Sequence, residues 1–173
     1  VETLIQAQPK GLGHADSLAA EWEGEEPFAV LLPDDLIWSD GSTIGDMISL
    51  HSELDSSVVA VKRVPEEAIP SLGIVDVAPF GDRLHQVKAM VEKPILSEAP
   101  SNIGIIGRYV LTHTIFETLE KITPGALGEL QITDALITLI TEQRVFAYEF
   151  PGVHFDVGVP AGMLEAAIFA GLR

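Results

Sequence analysis

The 173 residues carry 26 acidic and 10 basic side chains, a formal charge of −16, with 47% hydrophobic residues and no cysteine. That apolar share builds a core in one domain of ordinary size and excludes disorder, while the missing cysteine excludes a disulfide scaffold, an iron–sulfur cluster, a thiolate zinc site and a cysteine nucleophile, and makes a reducing, cytoplasmic setting the expectation. The charge excludes a nonspecific nucleic-acid binder, which needs clustered Lys and Arg, and no run approaches the ~18 apolar residues of a membrane span.

The chain opens on Val1 to Ile5, with neither an initiator Met nor a basic leader, and reads as the middle of a protein. A helix is predicted over His14 to Glu23, after Gly13. Phe28 to Leu32 is a continuous apolar run stopped by Pro33, the pattern of a strand buried on both faces in a parallel sheet. Thr43 to Glu53 repeats Ile44, Met47, Ile48 and His51 at helical spacing. Strands follow over Val58 to Val64, Gly73 to Val77, Leu84 to Val91 and Ile103 to Tyr109. A helix over His113 to Lys121 gathers Ile115, Phe116 and Leu119; one over Gln131 to Glu142 carries Ile132, Leu136, Leu139 and Ile140, a stripe that reads as core rather than interface. A strand over Val145 to Phe150 and a helix over Gly162 to Leu172, with Leu164, Ile168 and Leu172 four apart, complete the order. Strands alternating with helices predict an α/β fold with a mostly parallel, mixed sheet and flanking helices. In such sheets ligands bind beyond the carboxyl ends of the strands.

Four short constellations lie where that rule points. In LLPDD, Leu31 to Asp35, a buried strand ends in two carboxylates; oxygen ligands there suit Mg²⁺, and the run equally suits a strand-ending turn capped by Asp35. In PKGLGHA, Pro9 to Ala15, two glycines let backbone N–H groups approach a ligand at a helix start, although neither the GxGxxG nor the Walker-A spacing is present. In VEKP, Val91 to Pro94, the pleat breaks at the strand end, so Glu92 and Lys93 can face one ligand, with Glu accepting from sugar hydroxyls and Lys meeting a phosphate; a solvated ion pair is the plain alternative. In FDVGVP, Phe155 to Pro160, Asp156 either completes a metal site with Asp34 or caps the last helix. His85, Lys88 and Lys93 are the basic residues around VEKP, too few to decide whether the site is locally basic.

Together with SNIGIIGRYVL (Ser101 to Leu111) and GELQITDAL (Gly128 to Leu136), these motifs, in this order and over nearly the whole chain, resemble the bacterial UTP–glucose-1-phosphate uridylyltransferases, or UDP-glucose pyrophosphorylases, within the sugar-nucleotide pyrophosphorylases. The resemblance implies a Rossmann-like nucleotidyltransferase fold, residues 1–173 forming a single nucleotidyltransferase-type domain, N-terminally incomplete and lacking the first strand–loop–helix. It implies transfer of a uridylyl group from UTP to glucose 1-phosphate with Mg²⁺ as cofactor, in a homo-oligomer, dimer or tetramer, with no nucleic-acid or membrane partner. By residue, it implies that Gln6 and Gly11 read uracil, that Asp34 and Asp156 hold the metal, and that Gly73, Glu92, Lys93 and Asn102 bind the sugar and its phosphate, with Lys93 and Asp34 the catalytic pair. A Gln amide both donates and accepts, so it matches the imide of uracil.

Two departures stand out. Leu72 replaces the aromatic residue that the family usually places before the sugar-contacting glycine, and the family's opening GLGTR-type loop, where the triphosphate is clamped, is not among these residues. The chain alone is therefore expected to turn over little substrate. Two other readings remain open: a non-catalytic sugar-nucleotide-binding regulatory domain, and a thymidylyltransferase or other hexose-1-phosphate nucleotidyltransferase.

Overall fold

The computed structural model describes residues 2–123 and 128–173. A six-stranded sheet runs in the order β1 (Phe28–Leu31), β6 (Ile103–Leu111), β3 (Ser57–Arg63), β7 (Val145–Glu149), β5 (Leu84–Glu92), β4 (Gly73–Gly81). The β4–β5 hairpin turns at Asp82 and Arg83 and curls back so that Ile74 meets Gly104 of β6. Helices α1 (Leu12–Ser17), α4 (Thr114–Lys121) and α5 (Ile132–Glu142) cover one face, with Val59, Tyr109, Leu136 and Leu139 in the core beneath them. Helix α3 (Thr43–Leu54) covers the other, over Val58, Ile106 and Phe146. Ser42 caps α3 by accepting from Gly45 N–H at 3.1 Å, which satisfies one of the orphan donors of a helix start.

The fold is mixed α/β as expected, but the sheet is not mostly parallel. Only β3 and β7 pair parallel among the described strands; the other pairings are antiparallel. The apolar runs were a true signal of burial, since β3 and β6 are buried almost throughout. Burial on both faces follows from helices covering both faces, whatever the strand direction. Strand β1 is the exception: Ala29 and Leu31 are exposed.

Further differences are local. The predicted first helix is broken into α1 and a single turn, α2 (Ala20–Glu23), because Ser17 Oγ bonds back to the His14 carbonyl at 2.8 Å and the Ala19 N–H closes a tight turn onto Asp16. Strand β4 extends past Val77 through Pro79, which is tolerated near the hairpin tip. A second, two-stranded sheet, β2 (Asp35–Trp38) with β8 (Val153–Asp156), went unpredicted because each strand has only four residues and is led or ended by a carboxylate. Helix α6 (Pro160–Gly171) docks on this ribbon through Ala166 and through Phe169, whose ring meets Trp38 and Phe155. The stripe of Leu164, Ile168 and Leu172 therefore faces outward rather than into the core. Among the described residues no helix is long and apolar enough to cross a membrane.

Candidate active site

The main sheet and the small ribbon meet at Asp34 and Asp35. Strand β6 bulges here: Val59 pairs with Tyr109 but Ala60 pairs with Ile106, so Gly107 and Arg108 leave the β3 ladder. Freed from that ladder, Gly107 N–H donates to Asp35 Oδ2 at 3.0 Å, and its carbonyl accepts from Leu32 N–H at 2.9 Å and from an Arg108 Nη at 2.7 Å. The Arg108 guanidinium also reaches the Leu32 carbonyl at 2.7 Å and the Asp35 carbonyl at 2.5 Å. His154 of β8 meets the other Asp35 oxygen at 2.5 Å. A side chain at position 107 would stand 2.6 Å from Leu32 Cβ, so only glycine fits. Asp35 is thus consumed in building the turn, and its neighbour Asp34 is left exposed at the rim.

Asp156 ends β8 opposite Asp35, and Val157 N–H donates to the Asp34 carbonyl at 2.8 Å. A Cβ on Gly158 would lie 3.0 Å from Asp34 Oδ2 and 3.1 Å from Asp156 Oδ1. Asp156 Oδ1 accepts from Gly158 N–H at 3.0 Å, the turn-capping bond its alternative reading expects, and Asp34 reaches the same glycine from a segment distant in sequence. Among the described residues no cluster of three His, Asp or Glu side chains forms a ready-made metal cage. A pair of carboxylates leaving room for substrate oxygens and water is the donor set Mg²⁺ takes.

At the start of β4, Gly73 lies directly opposite Glu92 at the end of β5. Glu92 Oε2, Thr133 Oγ1 and the Ile105 side chain all stand 3.2 Å from where a Cβ on Gly73 would be. Lys93 has φ +45°, a left-handed kink held by its N–H on the Leu72 carbonyl at 3.1 Å. The kink brings Lys93 Nζ to 3.7 Å from Glu92 Oε1, so two successive side chains share one side, with the lysine half exposed. Left-handed backbone in a residue other than glycine costs of order 1 kcal/mol and clusters at functional sites. Thr133, in the first turn of α5, belongs to this group and was not singled out from sequence; a buried threonine in a helix carries no local signal. Asn102 sits at the start of β6 beside the end of β3, its carbonyl accepting from Val64 N–H at 2.9 Å, and its side chain is exposed without a bond to another candidate among the described residues. His85 pairs with Glu149 at 3.4 Å and Lys88 with Gln86 at 2.8 Å, so neither joins Lys93.

Gln6 and Gly11 also come together. Gln6 Nε2 donates to the Gly11 carbonyl at 3.0 Å and lies 2.8 Å from His14 Nδ1, which leaves the amide oxygen of Gln6 outward. The two glycines serve packing more directly than anion binding. Gly13 N–H is taken by the Leu130 carbonyl at 2.8 Å, and Gly11, at φ +96°, would bring a Cβ to 2.5 Å from that same oxygen.

The Tyr109 hydroxyl is held above its ordinary pKa by burial first, then by the charges of Glu92, Asp35 and Asp16. Asp16, on α1, has an oxygen buried without a hydrogen-bond partner among the described residues, and burial raises its pKa to about 7. The sign of its contribution follows. The native state binds a proton that the unfolded chain releases near pH 4, so this contribution to stability falls as pH rises from about 4 to 7 and is flat above. Asp16→Asn removes that slope, a difference of the order of 4 kcal/mol across the window. Urea unfolding of both proteins at pH 4.5 and 8 measures it, and parallel pH dependences would contradict the burial.

Residues 1–171 match the family described as nucleotidyl transferase. The UTP–glucose-1-phosphate uridylyltransferase of Bacillus subtilis is 44% identical over 168 residues, 97% of this chain and 58% of that protein. A crystal structure of a UDP-glucose pyrophosphorylase complexed with UDP-glucose superposes at a TM-score of 0.95, with 40% identity, over 99% of this chain and 66% of the other. A UTP-bound pyrophosphorylase of this kind from Acinetobacter baumannii gives 0.85 and 41% over 98% of this chain and 59% of the other. The chain thus spans under two thirds of the length of these relatives. On this evidence the chain belongs to the nucleotidyl transferase family.

Proposed function

We propose that the chain supplies the uracil-reading, metal-binding and sugar-phosphate-binding parts of an enzyme that makes UDP-glucose from UTP and glucose 1-phosphate. The observation that carries this reading is a pair of local groupings, Asp34 with Asp156 beside Gly158 and Glu92 with Lys93 beside Gly73. The names of the similar proteins support the same substrates. In the proposed reaction an oxygen of glucose 1-phosphate attacks the α-phosphorus of UTP, and the bond to pyrophosphate breaks. The nucleophile is already an anion, so the side chains need only position it and balance charge. Lys93 holds the sugar phosphate in line, while Glu92 accepts hydrogen bonds from hexose hydroxyls beside the open face of Gly73. Asn102 borders the sugar from the start of β6. Asp34 and Asp156 are the residues that would hold Mg²⁺, whose chemistry is to neutralise phosphate oxygens of both reactants. Gln6 Oε1 accepts from the imide N–H of uracil while the backbone N–H of Gly11 donates to an adjacent carbonyl, a pairing that an amino-substituted pyrimidine ring does not complement.

The test is Gln6→Ala in a chimera in which these 173 residues replace the matching stretch of the Bacillus subtilis enzyme. The expected result is kcat/KM for UTP lowered roughly tenfold or more, with the KM for glucose 1-phosphate changed less than about twofold. Equal losses for both substrates would contradict base reading by Gln6.

A further inference from the structure

A polar cavity of about 390 Å³ opens at the far end of the sheet from Asp34. Its walls come from Glu25 before β1, His51 and Asp55 at the end of α3, Thr112 and Thr114 after β6, and Gln143 after α5. Because Phe28 pairs with Leu111 and Leu31 with Arg108, the length of β1 separates it from the proposed metal turn.

The hydrogen bonds already made inside it decide what it can still bind. Gln143 Nε2 lies 3.2 Å from Thr112 Oγ1 and 2.9 Å from Thr114 Oγ1, and the two hydroxyls are 2.7 Å apart. That triangle closes when the amide nitrogen gives both its hydrogens and the Thr114 hydroxyl gives the third, which leaves the Thr112 hydroxyl to donate to Ser57 Oγ at 3.2 Å. The amide oxygen of Gln143 is therefore left over. His51 is 8% exposed, and its Nδ1 lies 2.9 Å from the Ser56 carbonyl, which can only accept. The ring proton is thus committed at Nδ1, and Nε2 is an acceptor with no partner among the described residues. Asp55 and Glu25 add carboxylates, His113 adds a second imidazole, and among the described residues no Lys or Arg lines the cavity. Two longer helices, α3 and α5, end here with their unpaired carbonyls, against one shorter helix, α4, that begins here; the balance of helix dipoles is negative.

We propose that this cavity is a binding site for a small organic cation, an alkyl-ammonium or guanidinium compound, separate from the proposed nucleotide and sugar site. Beside the His113 imidazole the unused groups are acceptors and anions, which such a donor satisfies and a phosphate does not. The volume admits a ligand the size of a short diamine.

The test is calorimetric titration of the 173-residue chain with 1,4-diaminobutane and, separately, with inorganic phosphate, at 0.1 M salt. The expected result is saturable, single-site binding of the diamine and none of phosphate. Asp55→Asn should weaken the diamine at least tenfold; Asp55 has φ +48°, a conformation asparagine also adopts, so the fold is kept. Asp82→Asn, at the tip of the β4–β5 turn, makes the same change in net charge and should leave affinity within twofold. Glu25→Gln is the second variant, expected to weaken binding at least threefold. Absence of saturation, phosphate binding in place of the diamine, or equal effects of the Asp55 and Asp82 variants would overturn the proposal.

Discussion

Asp34→Asn should lower turnover of the chimeric enzyme by roughly 10²–10³-fold, the scale for losing one well-placed electrostatic group. The substitution keeps the shape of the side chain and removes its charge. The turn itself should survive, because it is built by Asp35, Gly107, Arg108 and His154, and by the Asp34 carbonyl accepting from Val157 N–H, none of which uses the Asp34 carboxylate. Stability should stay within about 0.5 kcal/mol. In the 173-residue chain with UDP-glucose bound, Mn²⁺ affinity should fall in parallel. Unchanged turnover and unchanged Mn²⁺ affinity would remove Asp34 from the site.

The second large effect concerns the chain alone. With UTP, glucose 1-phosphate and Mg²⁺, its turnover should lie roughly a hundredfold or more below that of the Bacillus subtilis relative, because charge neutralisation around a triphosphate is the main catalytic resource of this chemistry. The described cations near the proposed site are few. Lys93 sits beside Glu92, and the Arg108 guanidinium is spent on the carbonyls of Leu32, Asp35 and Gly107. Asp34, Asp35, Glu92 and Asp156 outnumber these cations and Lys10 together, so the described residues offer a leaving pyrophosphate little positive charge. UDP-glucose, which carries two phosphates and both recognition elements, should still bind. Turnover equal to that of the relative would refute this reading.

What was legible in the sequence, and what was not, divides along physical lines. The apolar runs of β3, β6 and β7 located strands within a residue or two, because burial on two faces leaves an unbroken hydrophobic signature. The same runs misled about direction, since a strand flanked by covered neighbours looks alike whether they run with it or against it. The stripe on α5 was core because Ile132, Leu136 and Leu139 recur at helical spacing. The stripe on α6 was not, because Ala166 and Phe169 hold that helix to the ribbon and no pattern in Leu164, Ile168 and Leu172 says which face is free. In the candidate site, the charged residues after strand ends were visible one by one. The pairings of Asp34 with Asp156 and of Glu92 with Lys93 were expected, but the bulge at Gly107 and Arg108 that shapes the turn was not, because no local pattern of residues marks it. Arg108, His154 and Asp35 act by shaping the turn that carries Asp34, so their importance exists only once β6 and β8 are in place. The Gly11 and Gly13 pair was read as a ligand cradle, whereas much of its demand for glycine comes from the Leu130 backbone pressed against it.

The central claim is that Asp34 and Asp156 face one divalent cation beside a hexose held by Glu92 and Lys93. Anomalous diffraction from crystals of this chain grown with UDP-glucose and Mn²⁺ tests it most directly. The account predicts one strong peak within coordination distance of Asp34 and Asp156 carboxylate oxygens, with the hexose hydroxyls against Glu92. A peak held by neither carboxylate, or a hexose lying away from Glu92 and Lys93, would contradict it.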